Sequence, residues 1–144
     1  MARVLVMACS ATKLATDIPV MAYELYKGVF WAVLHKQYLH WSDLGPLDLR
    51  IISAEYGLLH PTTLVSPYER RMTFERAKDL QPAVSVALLP FADASDVFLC
   101  CSPVYRAAIN VNWHYPPTIP HGGIGQQMRQ LKDWLTNDAL RRSQ

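Results

Sequence analysis

The run Val4-Leu5-Val6-Met7-Ala8-Cys9, closed by Ser10-Ala11-Thr12-Lys13, decides the fold. Continuous apolar character with no polar alternate describes a strand covered on both faces, the habit of a parallel sheet. Two further runs share this character. Leu49-Arg50-Ile51-Ile52-Ser53 reads as a second strand and Asp96-Val97-Phe98-Leu99-Cys100-Cys101 as a third. The stretches between them are long enough for crossovers. From Pro19 to about Tyr38, Met21, Leu25, Phe30, Val33 and Leu34 recur near helical spacing, and Gly28 is expected to break or loosen that helix. Trp41 to Pro46 is a polar turn.

Glu55-Tyr56-Gly57-Leu58-Leu59 follows the second strand at once, before a loop punctuated by Pro61 and Pro67. Thr73 is placed as a helix N-cap. Arg76 rather than an acid stands three residues on, so the capping box is incomplete. This helix is expected to stop near Gln81-Pro82, with Ala83 to Leu89 as a second helical piece. Val104 to Asn110 predicts a short helix. Tyr115-Pro116-Pro117-Thr118-Ile119-Pro120 is no helix, and holds either a short fourth strand or an extended crossing. Gly122-Gly123-Ile124-Gly125 opens the last helix, whose apolar face is Ile124, Met128, Leu131, Trp134 and Leu135. The alternation predicts one α/β domain over residues 1–144. Its three layers would be a mostly parallel sheet of three to four strands with helices on both faces.

Composition agrees with a packed core. The 144 residues are 51% hydrophobic and 18% charged, the reverse of a disordered chain. Fourteen basic against twelve acidic residues leave a net charge of +2, too small to mark a nucleic-acid binder by bulk electrostatics. Cys9, Cys100 and Cys101 are odd in number and show no metal-type spacing to the histidines, so neither a disulfide framework nor a metal site is expected. Cys100 and Cys101 lie within a strand and read as packing. Cys9, near Lys13, is either a reactive thiol or a small buried hydrophobe, and the packing reading is preferred. The apolar run at the N-terminus is shorter than a signal-peptide core of roughly 7–15 residues or a membrane span of about 20. A reducing, cytoplasmic setting without membrane contact is the expectation. The aromatic stretch from Tyr23 to Trp41 could supply a dimer interface.

In open parallel sheets the ligand crevice lies outside the carboxyl ends of the strands. That rule makes neighbours of Ser10 to Lys13, Ser53 to Gly57 and Ser102 to Arg106, the last including Tyr105. Ser10 and Lys13 could hold a phosphate or carboxylate on one side of a turn; otherwise Ser10 caps the turn and Lys13 is solvated. At Ser53-Ala54-Glu55-Tyr56-Gly57, small residues let a ligand approach and Gly57 can supply a positive φ, leaving Glu55 at the crevice or as an exposed turn acid. Tyr68 offers a ring on which a base could stack, Glu69 a second carboxylate, and Arg70 and Arg71 phosphate partners; the alternative is a packed Tyr68 and solvated arginines. His121, Gly122, Gly123 and Gly125 precede a helix whose free N–H groups suit an anion, or else form a hinge.

Ile52-Ser53-Ala54-Glu55-Tyr56-Gly57-Leu58-Leu59-His60-Pro61, with Ser66-Pro67-Tyr68-Glu69-Arg70-Arg71-Met72, resembles the central signature of the YaaA-like proteins. The resemblance is to their small, single-domain branch, often found in phages and mobile elements. Cys9-Ser10 with Lys13, Glu24-Leu25-Tyr26 and the Gly123, Gly125 pair match flanking features of that branch, so the likeness spans most of the chain. It implies an association with peroxide stress, DNA, or the modification and removal of nucleobases. Glu69 stands where the branch commonly has aspartate, which keeps the charge and lengthens the arm. The helical DNA-binding segments of the larger YaaA proteins have no counterpart here, which argues against direct duplex binding.

Residues and resemblance together predict an enzyme acting on a nucleobase or nucleoside, most specifically an N-glycosidase of the DNA glycosylase kind. Glu69 or Glu55 would stabilise positive charge on the sugar or orient a water. Lys13 or His121 would place a phosphate or protonate the leaving base. Ser10, Ser53, Gly57, Tyr68, Arg71, Tyr105 and the glycines before the last helix would bind substrate, with no cofactor and no metal. The partner would be a nucleoside, a nucleotide, or nucleic acid that is single-stranded or has an extruded base. The competing expectation is a non-catalytic nucleotide or nucleic-acid binding module in stress response or phage–host conflict.

Overall fold

The computed structural model describes residues 3–142, the side chains of 138–142 excepted. In chain order the elements are β1 (Arg3–Ala8), β2 (Val20–Met21), α1 (Ala22–Leu25), α2 (Val29–Gln37), β3 (Leu47–Ser53), β4 (Gly57–Leu59), β5 (Leu64–Val65), α3 (Phe74–Leu88), β6 (Asp96–Cys100), α4 (Pro103–Arg106) and α5 (Ile124–Arg142), with 3-10 turns at Trp41–Leu44 and Leu89–Phe91. The main sheet runs β4-β3-β1-β6. β1 is central and parallel to both β3 and β6, with Met7 opposite Ile51 and Cys100. The apolar run that announced the fold is thus the strand covered on every side.

Alternation along β1 divides the core. Leu5 and Met7 pack with Leu49, Ile51 and Phe98 beneath Trp31 and Leu34 of α2 and Leu131 and Leu135 of α5. Val4 and Val6 pack with Ile52, Val97 and Leu99 against Ala77, Val84 and Leu88 of α3. Helices therefore cover both faces, as the sequence pattern predicts. Each fully buried aliphatic side chain contributes about 1.5–3 kcal/mol, so the two clusters dominate the stability. At the amino end of the sheet the Arg3 guanidinium pairs with Asp96 (Nε–Oδ2 2.9 Å) and stacks 3.8 Å from the Trp134 ring, fastening α5 to β1 and β6.

Several boundaries differ from expectation. The fourth strand is β4, antiparallel to β3, and not the proline-rich segment. That segment still meets the sheet as an extended crossing, where Thr118 makes a single parallel bridge to Phe98. The expected helix from Pro19 to Tyr38 is split: β2 pairs with β5, and Tyr26 bridges to Lys13 before α2 begins after Gly28. α3 does not stop at Pro82 but carries it inside the helix, because the buried positions Ala77, Val84 and Leu88 keep one face on the sheet on either side of it. Thr73 caps α3 as predicted, its Oγ1 accepting the Arg76 N–H at 3.0 Å. The helix expected over Val104 to Asn110 is shorter and earlier, Pro103–Arg106. Ile124 is 64% exposed and lies off the apolar face of α5. The stretch from Tyr23 to Trp41 spends Tyr23, Leu25, Tyr26, Trp31 and Leu34 on the protein's own core and leaves Val29, Leu39 and Trp41 exposed. Among the described residues no helix is long and apolar enough to cross a membrane.

Candidate functional site

The carboxyl ends of β1, β3 and β6 share one edge of the sheet, and the polar loops meet there. After β1 the Cys9 N–H still bonds to the Ile52 carbonyl (2.9 Å), and the chain then turns away. The Ser10 hydroxyl donates to the Thr12 carbonyl at 2.6 Å and accepts the N–H groups of Lys27 and Gly28, each at 3.2 Å. Lys27 N–H also donates to the Thr12 carbonyl and Leu14 N–H to the Leu25 carbonyl, at 2.9 and 2.7 Å. The loop carrying Lys13 is therefore zipped onto the segment preceding α2. Lys13 directs its ammonium over the Tyr68 ring, 4.6 Å from the centroid. Ser10, expected as a ligand holder, has its hydroxyl committed to this loop and acts by positioning it.

The turn after β3 is built around Ser53, a polar residue fully buried in the core. Its Oγ accepts the N–H groups of Glu55 and Tyr56 at 3.2 and 3.1 Å and shares a 2.6 Å hydrogen bond with the Tyr68 hydroxyl. The Tyr68 hydroxyl also meets that of Tyr26 at 2.7 Å. From α3, Arg76 donates to the carbonyls of Ala54 and Glu55 at 2.8 and 2.9 Å, and Gly57 closes the turn with a φ of 79°. Tyr105 brings its hydroxyl to 3.2 Å from the Cys9 sulfur. Burial pushes the Tyr26 phenol up to about 12 and holds those of Tyr68 and Tyr105 well above the ordinary tyrosine range, the neighbouring Cys9 adding to both. These hydroxyls are protonated hydrogen-bonding groups at neutral pH and do not serve as bases.

Two cavities open at this edge. One, of about 730 Å³, is lined by Lys13, Glu69, Arg70 and Arg71 over a floor that includes Cys9, Ser10 and Tyr105. The other, of about 450 Å³, is bounded by the same Cys9, Ser10 and Tyr105 and by apolar groups of α2, α4 and the start of α5, among them Phe30, Trp31 and Pro103. Within the first, neither Lys13, Glu69 nor Arg71 has a hydrogen bond or ion pair to another described residue. Arg70 pairs with Glu55 at 3.4 Å.

Lys13, Glu69, Arg71, Tyr105 and Ser10 are thus brought together around one cavity, and other expected residues are not. Glu55 is turned to Arg70 and lines neither cavity. Ser53 is sealed in the core, and Gly57 backs onto Leu80 and Val84 of α3. Tyr68 has the Lys13 ammonium over its ring and the Tyr56 ring perpendicular to it at 5.3 Å, and it lines neither cavity. Ahead of α5 the glycine segment is capped from within. Gln126 Oε1 accepts the Gly123 N–H at 3.0 Å, and Gln130 exchanges hydrogen bonds with the His121 backbone at 3.0 and 2.9 Å. Gly122, at φ 89°, lies against Gln126, and His121, Gly123 and Gly125 are exposed and line neither cavity. The expected anion cradle is therefore occupied by the protein's own glutamines. Sequence reasoning missed Phe30 and Trp31 as wall residues. Their position at the start of α2, on the crossover from β1 to β3, was the available signal, since helix starts and strand ends share the crevice in this architecture.

No curated protein matches the chain. A family model matches residues 4–133, spanning β1 from Val4, the polar loops, both cavities and the first half of α5. The chain belongs to the family of unknown function DUF6884.

Proposed function

We propose that this protein is an N-glycosidase acting on a nucleoside or nucleotide. The observation that carries this reading is the grouping of Lys13, Glu69 and Arg71 in one cavity at the carboxyl ends of the strands, none of them paired to another described residue. Charged groups without an ion pair to another described residue are available to a ligand in the cavity, and their types suit this reaction. As the C1′–N bond breaks, its electron pair leaves with the base and positive charge develops on the sugar. The Glu69 carboxylate stabilises that charge and accepts the proton of the attacking water, whose oxygen forms the new bond to C1′. The departing base takes a proton from solvent. Lys13 and Arg71 hold a substrate phosphate. The YaaA-like resemblance of the segment from Ile52 to Met72 supports the same substrate class.

The three free cysteines fit a reducing compartment, so a cytoplasmic setting belongs to the proposal. The test is chromatographic detection of free base after incubation with nucleosides, nucleotides and single-stranded DNA, alongside Glu69→Gln. Base released by the wild type and not by the folded variant supports the reading. No release from any substrate overturns it, and ligand binding without release identifies a non-catalytic module.

A further inference from the structure

We infer that the ligand is a nucleoside monophosphate, with its base in the apolar cavity and its terminal phosphate in the charged one. The inference rests on the reading above and adds the substrate class. The two cavities differ in the number of charged side chains along their walls and share one boundary. Phe30, Trp31, Pro103, Pro120 and Ile124 line the first, with Arg106 as its charged residue, whereas Lys13, Glu69, Arg70 and Arg71 all line the second. Cys9, Ser10 and Tyr105 belong to both. A molecule filling the pair must have an apolar, flat end and an anionic end separated by a short polar linker. A base, a sugar and a phosphate supply those in order. The apolar cavity, about 450 Å³, lies in the range of about 300–1,000 Å³ usual for small-ligand sites.

Charge decides between a free mononucleotide and a polymer. With Arg70 engaged by Glu55, Lys13 and Arg71 are the lining cations without a carboxylate partner. Two such cations suit a single phosphate monoester, which carries about −1.5 to −2 at neutral pH. A polymer calls for a longer track, and other arginines near the site, including Arg106 on the wall of the apolar cavity, are held by backbone carbonyls or a ring. Arg76 is bound to the carbonyls of Ala54 and Glu55, Arg106 to that of Cys101, and Arg50 lies over the Phe91 ring. A net charge of +2 over the whole chain gives little general attraction for a polyanion.

Calorimetric titration of Glu69→Gln, which prevents turnover, tests this with common ribo- and deoxyribonucleoside 5′-monophosphates, the matching nucleosides, and a short oligodeoxynucleotide lacking terminal phosphates. At least one monophosphate is expected to bind about tenfold or more tighter than both its own nucleoside and the oligonucleotide. Adding Lys13→Ala or Arg71→Ala should erase that preference and leave nucleoside affinity in place. Val29→Trp or Ile124→Trp, at wall positions 50% and 64% exposed and so tolerant of the change, should fill the apolar cavity. Either should weaken the monophosphate about tenfold and leave inorganic phosphate unaffected. Equal or tighter binding of the oligonucleotide overturns the inference, as does parallel weakening of nucleoside and monophosphate by Lys13→Ala. Base release by the wild type without a monophosphate preference would overturn this inference alone. A monophosphate preference without base release would overturn only the glycosidase reading, and binding of none of the probes would overturn both.

Discussion

The Lys13 ammonium rests 4.6 Å from the centre of the Tyr68 ring and has no ion pair among the described residues. Tyr68 is itself pinned by the buried Ser53, so the cation is supported by an aromatic floor and its charge remains available to the cavity. An ammonium held this way contributes little to folding, about 0.5–1 kcal/mol for a cation–π contact with solvent access. Lys13→Ala is therefore expected to leave the melting temperature nearly unchanged while weakening a phosphate-bearing ligand about tenfold. Thermal denaturation and calorimetric binding, measured on the same preparation, check the two halves. A collapse of stability would mean that the lysine serves the fold.

Ser53→Ala should do the opposite. Its hydroxyl is fully buried and joins the Glu55 and Tyr56 N–H groups to the Tyr68 hydroxyl. Removing it strands several polar groups in the interior, at about 1–3 kcal/mol for each one left unsatisfied. Tyr68→Phe, which leaves the Ser53 oxygen its two N–H donors, should cost less. Urea denaturation of both variants gives the order directly, and equal costs would show that the Tyr68 hydroxyl is the main anchor.

The two carboxylates expected at the crevice are separated by the structure, and their substitutions should separate as well. Glu69 lines the charged cavity, whereas Glu55 faces Arg70 at 3.4 Å outside it. Glu69→Gln should lower base release by about 100-fold or more, the usual scale for a group that meets charge in the transition state. Glu55→Gln breaks only an exposed ion pair and should change stability by about 0–1 kcal/mol and turnover by less than about threefold. Kinetics of the two variants side by side decide which carboxylate acts.

The central sheet was legible in the sequence because an uninterrupted apolar strand such as Val4 to Cys9 has few other uses, and the carboxyl-end rule then located the crevice. Lys13, Glu69, Arg71 and Tyr105 followed from that rule and from the resemblance. What was hidden depended on tertiary partners. Nothing local shows that Gln126 and Gln130 would fold back on the glycine segment, that Glu55 would turn to Arg70, or that Lys13 would cover Tyr68. Pro82 misled for the same reason: the sheet beneath α3 held the helix together across a residue that, read alone, ends one.

His35 gives the fold a dependence on acid. It is half-buried on α2, and its Nε2–H donates to the Tyr23 carbonyl at 2.8 Å. Burial lowers its affinity for a proton, with Lys27 acting in the same direction. The unfolded chain, with an ordinary histidine near 6.5, therefore binds the proton more readily than the folded one. Stability is fully present above about pH 6.5 and falls as the pH drops through the lower folded value. His60, also lowered by burial, adds a slope of the same sign. Melting temperatures between about pH 7.5 and 5 should fall toward acid, and His35→Gln should flatten part of that slope. An unchanged slope in the variant would remove His35 from the account.

Gly28 and Gly125 should respond in opposite ways to alanine, and the contrast tests where the ligand is held. A Cβ on Gly28 would lie 2.9 Å from the Ser10 Cβ, closer than such atoms can sit, and neither is the free end of a flexible side chain. Relief requires the loop from Ser10 to Lys13 to move off the segment before α2, loosening the N–H bonds that Ser10 accepts. The cost should be about 1–3 kcal/mol, as for overpacking elsewhere, together with a loss of ligand affinity because Lys13 moves with the loop. Around Gly125 a Cβ meets nothing within 4 Å, and the residue lies in the first turn of α5. Gly125→Ala should be neutral or stabilising by up to about 1 kcal/mol, since alanine restricts the unfolded chain more than glycine does. Ligand affinity should not change, because the Gly123 N–H is already accepted by Gln126 and the Gly122 carbonyl accepts from Gln127. Binding lost in Gly125→Ala and kept in Gly28→Ala would move the anion from the Lys13 cavity to the start of α5.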